Sequence, residues 1–477
     1  MASHITSQEK DFSQWYLDTL KIADVFDYAP VKGCMIIKPY GFKMWELFQQ
    51  EMNTRMEEMD VENACFPALI PESFIMKEAD HVEGFAPELL TVTRVGKKEL
   101  EEPYVLRPTS ETIIYNSYAQ WIHSYRDLPL KMNQWANVFR WEMKTKPFLR
   151  TSEFFWQEGH TVHATEEEAD TMVKDALDMY ENFAEEVMAI RGIKGRKTMN
   201  ETFAGADYTT TIEAMAKDGK AIQFCTSHQL GQSFAKAFDI EFTDKDEKQK
   251  TPFITSWGMS TRALGTMFVV HGDDKGLRMP PKIAPIQVMI IPVIPKEEHR
   301  EAVMTQVEAI KKTLKSDGIR VRIDMSDKRP GFKFAQAEVK GIPIRMEVGP
   351  RDLEKNQVVC ARRDISTKDS YDIKDLKESI PELLEDIHAT LLSESEQHLQ
   401  QNITDVFDIE GFERVLNEHK GFIRVAWCDD AEKEKEIQQK TGATIRCYPF
   451  DMQDQVTGTC FYTGRDATHI ALFAKAY

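Results

Sequence analysis

Two apolar runs rich in aromatic residues, 138–142 and 148–160, flank a short polar loop that contains Lys144. Two such runs separated by a turn predict an antiparallel β-hairpin. Because side chains alternate between the two faces of a strand, Arg140 and Glu142 are expected on the same face of this hairpin. An arginine there can hold a phosphate through two parallel hydrogen bonds, or it can pair with the nearby glutamate.

Apolar residues recur at helical spacing over 41–56, which predicts a long amphipathic helix. The stretch 64–71 that follows has strand character, and Pro67 inside it places this strand at a sheet edge or a bulge. A long helix that leads into an edge strand suits an interface between subunits. Taken alone, the pattern favours a plain surface helix and strand over an interface.

The order of elements changes near residue 285, where Pro280, Pro281 and Pro285 form a cluster typical of a boundary. The stretch before it, 1–284, mixes helices with hairpin strands and is predicted to be an α+β domain with an antiparallel sheet. Residues 285–385 alternate strand, helix and strand, which indicates a compact α/β domain. Residues 386–477 form a smaller α/β module.

The chain has 477 residues and a net charge of −18, which argues against indiscriminate binding of nucleic acid over its whole surface. A local basic edge is still present in the 285–385 domain, where it is either an RNA contact or a solvated charged face. Its members are Arg345, Arg351, Lys355, Arg362 and Arg363.

No apolar run approaches the roughly 20 residues of a membrane span, so no membrane association is expected. The seven cysteines include no CxxC pair, and their odd number fits a reducing cytoplasm better than a disulfide framework. A cytoplasmic location is therefore predicted.

Several stretches outside the hairpin carry candidate chemistry. Thr109 and Glu111 can accept hydrogen bonds from an ammonium group, although Thr109 or Ser110 can equally cap the helix that follows. The turn-rich segment 81–87 is a loop that either covers a site or is inert. His228, a lone histidine in a strand-like run, is more often a structural residue than a catalytic one.

Arg262 has several small residues around it in the stretch 256–265, and an apolar helix to Val270 follows. A reaction that attacks a nucleoside triphosphate at one phosphate must hold the other phosphates bent away, and two fixed guanidinium groups with a magnesium ion would do this. Arg140 and Arg262 are the candidate pair, and Phe154 could stack on a base. Neither GxxxxGK[ST] nor GxGxxG is present, so the two common nucleotide-binding folds are not supported.

These stretches, in this order, resemble the three signature motifs of the class II aminoacyl-tRNA synthetases. The helix 42–56 with Pro67 resembles the first motif, the Arg140-to-Trp156 hairpin the second, and 258–265 the third. The chain is similar to the prolyl-tRNA synthetases of archaeal and eukaryotic type over residues 10–477. The resemblance implies a class II catalytic domain at 1–284, an anticodon-binding domain at 285–385, and a C-terminal module at 386–477.

The resemblance also implies ATP-dependent attachment of L-proline to tRNA(Pro) through a prolyl-adenylate, with Mg²⁺ and with Arg140 and Arg262 as catalytic groups. The residues implied around proline are Thr109, Glu111, Arg140, Trp156, His228 and Ser260. Those implied around ATP are Arg140, Glu142, Arg150, Thr151, Phe154, Gln223, Thr226, Ser260 and Arg262. Gln223 is the residue implied to touch magnesium.

Further expectations follow from the same resemblance. The protein should be a homodimer without an inserted editing domain, since 161–255 reads as ordinary catalytic-domain structure. No zinc site is expected, because Cys428 and Cys460 lack two further ligands, Lys433 and Tyr462 standing in their places. The C-terminal Tyr477 should reach back to the catalytic domain.

Two alternatives remain from the sequence. One is a synthetase-like protein that has lost catalysis and binds only RNA or a partner. The other is a sister class II synthetase for another small amino acid.

Overall fold

The computed structural model describes residues 5–77, 89–418 and 421–477, so the predicted loop 81–87 lies outside the described residues. The first part of the chain is built from short N-terminal elements, a central hairpin and the strands that extend it. Its elements in chain order are α1 (Phe12–Ile22), β1 (Phe26–Tyr28), β2 (Met35–Ile37), α2 (Pro39–Glu58), β3 (Glu62–Ala64), β4 (Leu69–Pro71), α3 (Glu72–Ile75), β5 (Leu90–Val95), β6 (Lys98–Leu106), α4 (Glu111–Trp121), β7 (Leu130–Phe139), β8 (Glu153–His163), α5 (Glu166–Glu186), β9 (Ile193–Arg196), β10 (Tyr208–Met215), β11 (Ala221–Gly231), α6 (Ser233–Ala237), β12 (Phe242–Thr243), β13 (Gln249–Lys250), β14 (Phe253–Ser260) and α7 (Arg262–His271).

The middle of the chain forms a separate sheet with helices packed on it. Its elements are β15 (Val288–Pro292), α8 (Arg300–Ser316), β16 (Val321–Ile323), α9 (Pro330–Val339), β17 (Ile344–Val348), α10 (Pro350–Glu354), β18 (Gln357–Arg362) and β19 (Lys368–Asp372). The strand order is β16-β15-β17-β18-β19, with β15 parallel to both of its neighbours. This confirms the predicted α/β domain.

The C-terminal part begins with a long helix and continues as a small α/β module. Its elements are α11 (Leu376–Gln401), β20 (Ile403–Asp405), α12 (Ile409–Glu418), β21 (Phe422–Trp427), α13 (Ala431–Thr441), β22 (Thr444–Pro449) and β23 (His469–Ala474). Strand β22 pairs with β9, so the module extends the sheet of the first domain to the order β20-β21-β23-β22-β9-β10-β11-β14-β8-β7-β3. All three predicted fold classes are confirmed.

The predicted hairpin is β7 and β8, which pair antiparallel from Leu130 opposite Val162 to Phe139 opposite Glu153. The prediction that Arg140 and Glu142 share a strand face is wrong. The ladder ends at Phe139, because the chain then turns through a loop in which Phe148 has a positive φ of 60°. Glu142 therefore lies in the loop, where its carboxylate accepts a hydrogen bond from Arg150 Nε at 2.7 Å.

The predicted amphipathic helix is α2, and it lies over the sheet with one side in the main core. Trp45 and Phe48 are fully or almost fully buried and stack at 4.9 Å, and Phe48 also meets Phe183 of α5 at 4.6 Å. Burial of large aromatic side chains contributes strongly to stability. The predicted strand 64–71 is two short strands, β3 and β4, interrupted around Pro67. Strand β3 lies at the edge of the sheet.

Segment 164–252, between β8 and β14, is occupied by elements of the same domain. Strands β10 and β11 from this segment pair with each other, and β11 pairs with β14, so they lie inside the hairpin's own sheet. Helix α5 packs on that sheet. The expectation that this stretch is ordinary catalytic-domain structure is therefore met.

The C-terminal module is fixed to the first domain by a buried ionic cluster and by its last residue. Glu213 on β10 accepts hydrogen bonds from Lys197 Nζ at 3.0 Å and from Arg446 Nε at 3.0 Å. Tyr477 OH donates to Asp218 Oδ2 at 2.8 Å, which confirms that the chain end reaches back to this domain. Buried charges of this kind require such partners, because an unpaired one would be strongly destabilising.

The prediction that five basic residues form one basic edge of the middle domain is wrong. Arg345 pairs with Glu347, Arg362 with Asp364 and Asp386, and Arg363 with Asp273 of the first domain. Each of these arginines is occupied by an acidic partner, and Arg363 also joins the middle domain to the first domain. The two remaining members, Arg351 and Lys355, are exposed.

None of the helices within the described ranges combines the length and the apolar character needed to cross a lipid bilayer.

Candidate active site

A cavity of about 250 Å³ opens on one face of the central sheet. Strand pairing explains which side chains meet there, since residues directly opposite each other on neighbouring strands share a face. One such row crosses four strands and consists of His160, Ser256, His228 and Thr209. A neighbouring row places Trp156 opposite Ser260. The start of α4 and the start of α7 close the two ends of the cavity.

Thr109 and Glu111 form one end of the cavity at the start of α4. Thr109 Oγ1 donates a hydrogen bond to Glu111 Oε2, and both residues are buried. Ser110 occupies the N-cap position but makes no capping hydrogen bond with its side chain. The capping interpretation of this stretch is therefore wrong for the side chain of Ser110, whose Oγ donates to Glu158 Oε1 at 2.5 Å instead.

Glu158, on the cavity wall, is the centre of a buried polar network. Its Oε1 also accepts from Gln134 Nε2 at 2.8 Å, and its Oε2 lies 3.0 Å from His160 Nε2. The other ring nitrogen of His160, Nδ1, lies 3.0 Å from the hydroxyl of Tyr115. Each of these side chains is at most 2% exposed. The hydrogen bonds of the network therefore lie in the interior of the protein, where the low local dielectric strengthens them.

Burial alone would raise the pKa of Glu158. The hydrogen bond and the charge of His160, together with the hydrogen bonds from Ser110 and Gln134, outweigh the effect of burial. The pKa of Glu158 is consequently lowered, and its carboxylate is charged at neutral pH. Burial alone would lower the pKa of His160, but Glu158 outweighs it and raises that pKa. Both pKa shifts therefore favour the charged forms of these two residues, which lie next to Thr109 and Glu111.

His228 lines the same cavity as a neutral ring. Burial, followed by the charges of His160 and Arg140, lowers the pKa of His228 to about 3. Its Nδ1 lies 2.8 Å from Thr209 Oγ1, and its Nε2 lies 3.0 Å from Thr226 Oγ1. The ring of Phe203 packs against it at 4.7 Å. A ring held at both nitrogens is suited to shaping a pocket and is poorly suited to transferring a proton.

Arg140 lies where the cavity continues past the hairpin. Its Nε donates to the carbonyl of Pro108 at 2.9 Å, which fixes the guanidinium plane. The guanidinium carbon stands 5.3 Å from the centre of the Trp156 ring and 5.6 Å from that of Phe154. An arginine held in this way between aromatic rings is preorganised for a planar anionic partner.

Arg262 forms the opposite end of the cavity at the start of α7. Its Nε donates to the carbonyl of Leu149 at 2.8 Å, and its main-chain N–H donates to Ser260 Oγ at 3.1 Å. Burial and the nearby charges of Arg150 and Arg140 lower the pKa of Arg262 to about 10. The side chain is still charged at neutral pH, and the guanidinium groups of Arg140 and Arg150 lie near it.

A second, smaller cavity of about 70 Å³ adjoins the first around the hairpin loop. It shares four lining residues with the main cavity, namely Arg140, Phe154, Ser260 and Arg262. This second cavity is also lined by the predicted nucleotide-binding residues that the main cavity lacks, which are Glu142, Arg150 and Thr151.

The structure thus brings every predicted site residue to one of these two connected cavities. In the main cavity these are Thr109, Glu111, Arg140, Phe154, Trp156, Gln223, Thr226, His228, Ser260 and Arg262. Arg140 and Arg262, which are distant in the sequence, do line a single site.

Sequence reasoning missed several residues of the wall, chiefly Glu158, His160, Phe203 and Ser256. The period of two along β8 contained the signal for two of them, since Phe154 and Trp156 share their face with Glu158 and His160. Phe203 comes from a loop, and the sequence has no such periodicity there. Ser256 Oγ is buried without a hydrogen-bond partner in the described part of the chain, so a ligand could satisfy it.

The side chains of the C-terminal module do not fit a structural zinc ion. Tyr462 OH and Lys433 Nζ, at two of the expected ligand positions, are both within 2.8 Å of Glu436 oxygens. Cys428 Sγ lies 3.2 Å from Arg465 Nη2, which is a cation rather than a metal ligand. Within residues 5–77, 89–418 and 421–477 no cluster of three or more His, Cys, Asp or Glu side chains is suited to a metal ion. A closed tetrahedral site needs four ligands.

Magnesium makes smaller demands, because it usually keeps several waters and binds mainly to substrate phosphates. Gln223 on the wall of the main cavity offers an amide oxygen of the right chemical type. The residues present therefore fit an ion carried largely by the phosphates.

Three known families match separate parts of the chain. Residues 92–271 match "tRNA synthetase class II core domain (G, H, P, S and T)". Residues 287–383 match "Anticodon binding domain", and residues 409–477 match "Prolyl-tRNA synthetase, C-terminal".

Similar proteins extend over nearly the whole chain. "Proline--tRNA ligase 2" of Clostridioides difficile (strain 630) is 48% identical over 474 residues, 99% of this chain and 98% of the relative. "Proline--tRNA ligase, chloroplastic/mitochondrial" of Arabidopsis thaliana is 48% identical over 480 residues, 99% of this chain and 88% of the relative. The crystal structure of prolyl-tRNA synthetase from Cryptosporidium parvum, complexed with halofuginone and AMPPNP, superposes with a TM-score of 0.94 at 40% identity and covers 100% of both chains.

Proposed function

The chain belongs to the proline--tRNA ligases, a family of class II aminoacyl-tRNA synthetases, and we propose that it attaches L-proline to tRNA(Pro) at the expense of ATP. The observation that carries this function is the meeting of two kinds of group in one cavity. A buried pair of acceptors, Thr109 and Glu111, lies at one end, and two anchored guanidinium groups, Arg140 and Arg262, lie beyond it.

At the closed end, Thr109 Oγ1 and the Glu111 carboxylate accept hydrogen bonds from the secondary ammonium of proline. Trp156, His228 and Ser260 contribute to the surroundings of its ring and carboxylate. A neutral His228 supports this assignment, because an apolar ring would be poorly matched by an imidazolium. Hydrogen bonds to the ammonium select strongly for ligands that carry this group. Apolar contact with the proline ring rejects smaller amino acids only weakly.

At the open end, Arg140 bridges the proline carboxylate and the α-phosphate of ATP. The proline carboxylate attacks the α-phosphate, the bond to the β-phosphate breaks, and pyrophosphate leaves, giving prolyl-adenylate. No general base is required, because the attacking carboxylate is already ionised. Arg140 stabilises the charge that develops on the α-phosphate, and its anchor on Pro108 means that little reorganisation is needed.

The remaining phosphates and the base complete the assignment. Arg262 holds the γ-phosphate, and Phe154 stacks on adenine beside Arg150 and Thr151. Glu142 lies beside the adenylate, and Gln223 and Thr226 touch the ribose or a magnesium-bound phosphate. Magnesium would neutralise phosphate charge when bound, with Gln223 as its protein contact. In the second step the terminal hydroxyl of the tRNA takes the prolyl group from the adenylate, and AMP leaves.

The domain division proposed for this activity is 1–284 for catalysis, 285–385 for the anticodon and 386–477 for the C-terminal module. Of the basic residues expected to contact RNA, the exposed Arg351 and Lys355 are the ones we retain for tRNA binding. A cytoplasmic location is supported by the cysteines, all seven of which lie in the described residues as free thiols.

We also propose a homodimer formed through α2 and the edge strand β3. Exposed apolar side chains near this edge support the proposal, because Leu69 is 43% exposed and Trp121 is 48% exposed. An uncovered strand edge next to apolar surface is a natural site for association. The mass in solution, from light scattering after gel filtration, tests this, and a monomer at micromolar concentration would contradict it.

Proline-dependent exchange of labelled pyrophosphate into ATP tests the function directly. Exchange with proline, and charging of tRNA(Pro) when tRNA is added, is the expected result. Exchange with threonine, serine or glycine instead would indicate a sister synthetase. No exchange with any amino acid would indicate a protein that only binds RNA or a partner.

A further inference from the structure

Gln134 is a buried residue of β7 that lies next to the cavity without lining it. It stands directly opposite Glu158 of β8 in the strand register and is 1% exposed. Its Nε2 donates to Glu158 Oε1 at 2.8 Å and to Ser110 Oγ at 3.1 Å. Its Oε1 accepts from the main-chain N–H of Phe66 at 2.5 Å. A single amide therefore connects three separate parts of the chain.

The segment that contains Phe66 is itself fixed. The carbonyl of Phe66 accepts from Arg107 Nη1 at 2.8 Å, and Arg107 Nε donates to the carbonyl of Asn137 at 2.7 Å. This segment follows the edge strand β3, so Gln134 joins the sheet edge to the cavity wall. The Gln134 amide is therefore held by the backbone of Phe66 at its oxygen and bonds the buried Glu158 carboxylate through its nitrogen.

Ser110 stands between Thr109 and Glu111, the two acceptors at the closed end of the cavity. Its hydroxyl donates to the same Glu158 oxygen that Gln134 holds. A rotation of the Glu158 carboxylate would therefore pull on Ser110 and move both acceptors. It would also disturb His160, whose Nε2 lies 3.0 Å from the other Glu158 oxygen.

We propose that Gln134 is a positioning residue for the amino-acid end of the site, because it fixes the Glu158 carboxylate and, through Ser110, the Thr109–Glu111 acceptors. The proposal rests on the proposed function, in which those acceptors bind the ammonium of proline. Gln134 touches neither substrate, and its effect on catalysis passes through Glu158.

Gln134→Met tests the proposal with a side chain of similar length that lacks both hydrogen-bonding groups. The expected result in pyrophosphate exchange is a rise of about tenfold in the KM for proline, since a hydrogen bond to a charged group is lost. The KM for ATP should change by less than about twofold, because no nucleotide contact is altered.

Gln157→Met is a matched control. Gln157 is a fully buried glutamine on β8, one residue from Glu158, and it lies opposite Trp135 on the other face of the sheet. Its Oε1 accepts from Tyr180 OH at 2.6 Å, so this variant also loses a buried hydrogen bond. Gln157→Met should lower the midpoint of thermal unfolding by about as much as Gln134→Met does. It should leave the ratio of the KM for proline to the KM for ATP at the wild-type level. A purely structural role for Gln134 would make the two variants behave alike, and that result would overturn the proposal.

Gln134→Glu keeps the acceptor for the Phe66 N–H but loses the donor to Glu158. It therefore separates the hydrogen bond to the backbone from the one that fixes the Glu158 carboxylate. The new carboxyl group, buried beside a charged carboxylate, should titrate above its usual range and donate a hydrogen bond when protonated. The KM for proline should therefore fall towards the wild-type value as the pH is lowered from 8 to 6. The other titratable groups around Glu158 are present in both proteins; they are His160, Glu111, Tyr115, Tyr118 and Arg107.

The same pH series on the wild-type protein gives the reference. A proline KM for Gln134→Glu that follows the wild-type pH curve would overturn the positioning role even if Gln134→Met fails to fold. Exchange by the wild-type protein in the same assay distinguishes this outcome from a failure of the proposed function, which would abolish proline-dependent exchange in every variant.

Discussion

The two ends of the active-site cavity are built in opposite ways. At the amino-acid end, Glu111 and Glu158 are 3% and 2% exposed, and hydrogen bonds among neighbouring side chains hold them in place. At the nucleotide end, the Arg150 side chain is 51% exposed and that of Glu142 is 17% exposed. The two carboxylates of the first end are thus enclosed and hydrogen-bonded, whereas Arg150 at the second end reaches the solvent.

Two arginines of the open end are held in the same way. Arg140 and Arg262 are each anchored through Nε to a main-chain carbonyl, that of Pro108 at 2.9 Å and that of Leu149 at 2.8 Å. A main-chain carbonyl fixes the direction of the guanidinium group and carries no full charge that would compete with phosphate. In the proposed function a small zwitterion would therefore meet a closed, prearranged pocket, whereas a triphosphate, which brings its own charge, would meet oriented cations.

The largest effect is expected from Arg140→Ala, because Arg140 lies where the two ends meet. Proline-dependent pyrophosphate exchange should fall by about 10³-fold, the loss typical for a preorganised group that stabilises developing charge. Thermal unfolding should remain cooperative and near the wild-type midpoint. Arg300→Ala, which removes an exposed arginine at the start of α8, serves as the control and should retain activity. Near-normal exchange by Arg140→Ala would refute the role of this residue.

A smaller effect is expected from Arg262→Lys, which keeps a positive charge but loses the Nε anchor on Leu149. The KM for ATP should rise by about 10²-fold with little change in the KM for proline, since lysine cannot reproduce the fixed fork of arginine. Arg150→Lys is the comparison within the same end. Arg150 is half exposed and its Nε is held by the Glu142 side chain instead of by a main-chain carbonyl, so the KM for ATP should rise by only about threefold. Equal effects of the two substitutions would remove the distinction between anchored and surface arginines.

Acidification should affect the closed end through His228. The unfolded chain binds a proton at this histidine near pH 6.5, whereas the folded state holds its pKa at about 3. A lowered pKa means that the stabilisation is present above pH 6.5 and is lost as the pH falls towards 3. For this one residue the free energy of unfolding should decrease by about 2 kcal/mol between pH 7 and pH 5. Urea unfolding of wild type and His228→Gln measures it, and parallel pH curves for the two proteins would contradict the assignment.

The sequence predicted the open end better than the closed end, and the reason is physical. Arg140, Phe154 and Arg262 stand out because charged and aromatic residues were found in short motifs. The closed end depends on a row across four strands, His160–Ser256–His228–Thr209, which exists only once the strand register is known. Gln134 meets Phe66 across 68 positions in the sequence, and no local pattern shows such a contact.

The basic edge of the middle domain illustrates the same limit. The composition around Arg362 and Arg363 predicted either an RNA contact or a solvated charged face, but the acidic partners that occupy them lie elsewhere in the chain, at Asp386 and Asp273. Sequence reveals which charges are present. Only the fold reveals which of them are already neutralised, because pairing depends on distance in space.

The smallest effect is expected from the double variant Arg351→Ala with Lys355→Ala, which removes two exposed charges from the middle domain. Pyrophosphate exchange should be unchanged, because neither residue lines the cavity. The KM for tRNA in aminoacylation should rise by about threefold to tenfold, and its dependence on salt should weaken, since each lost phosphate contact reduces counterion release. Arg345→Ala is the control, because that arginine is occupied by Glu347. An unchanged KM for tRNA would show that tRNA binding does not use these two residues, whereas a fall in exchange would show that the middle domain influences one of the two ends of the cavity.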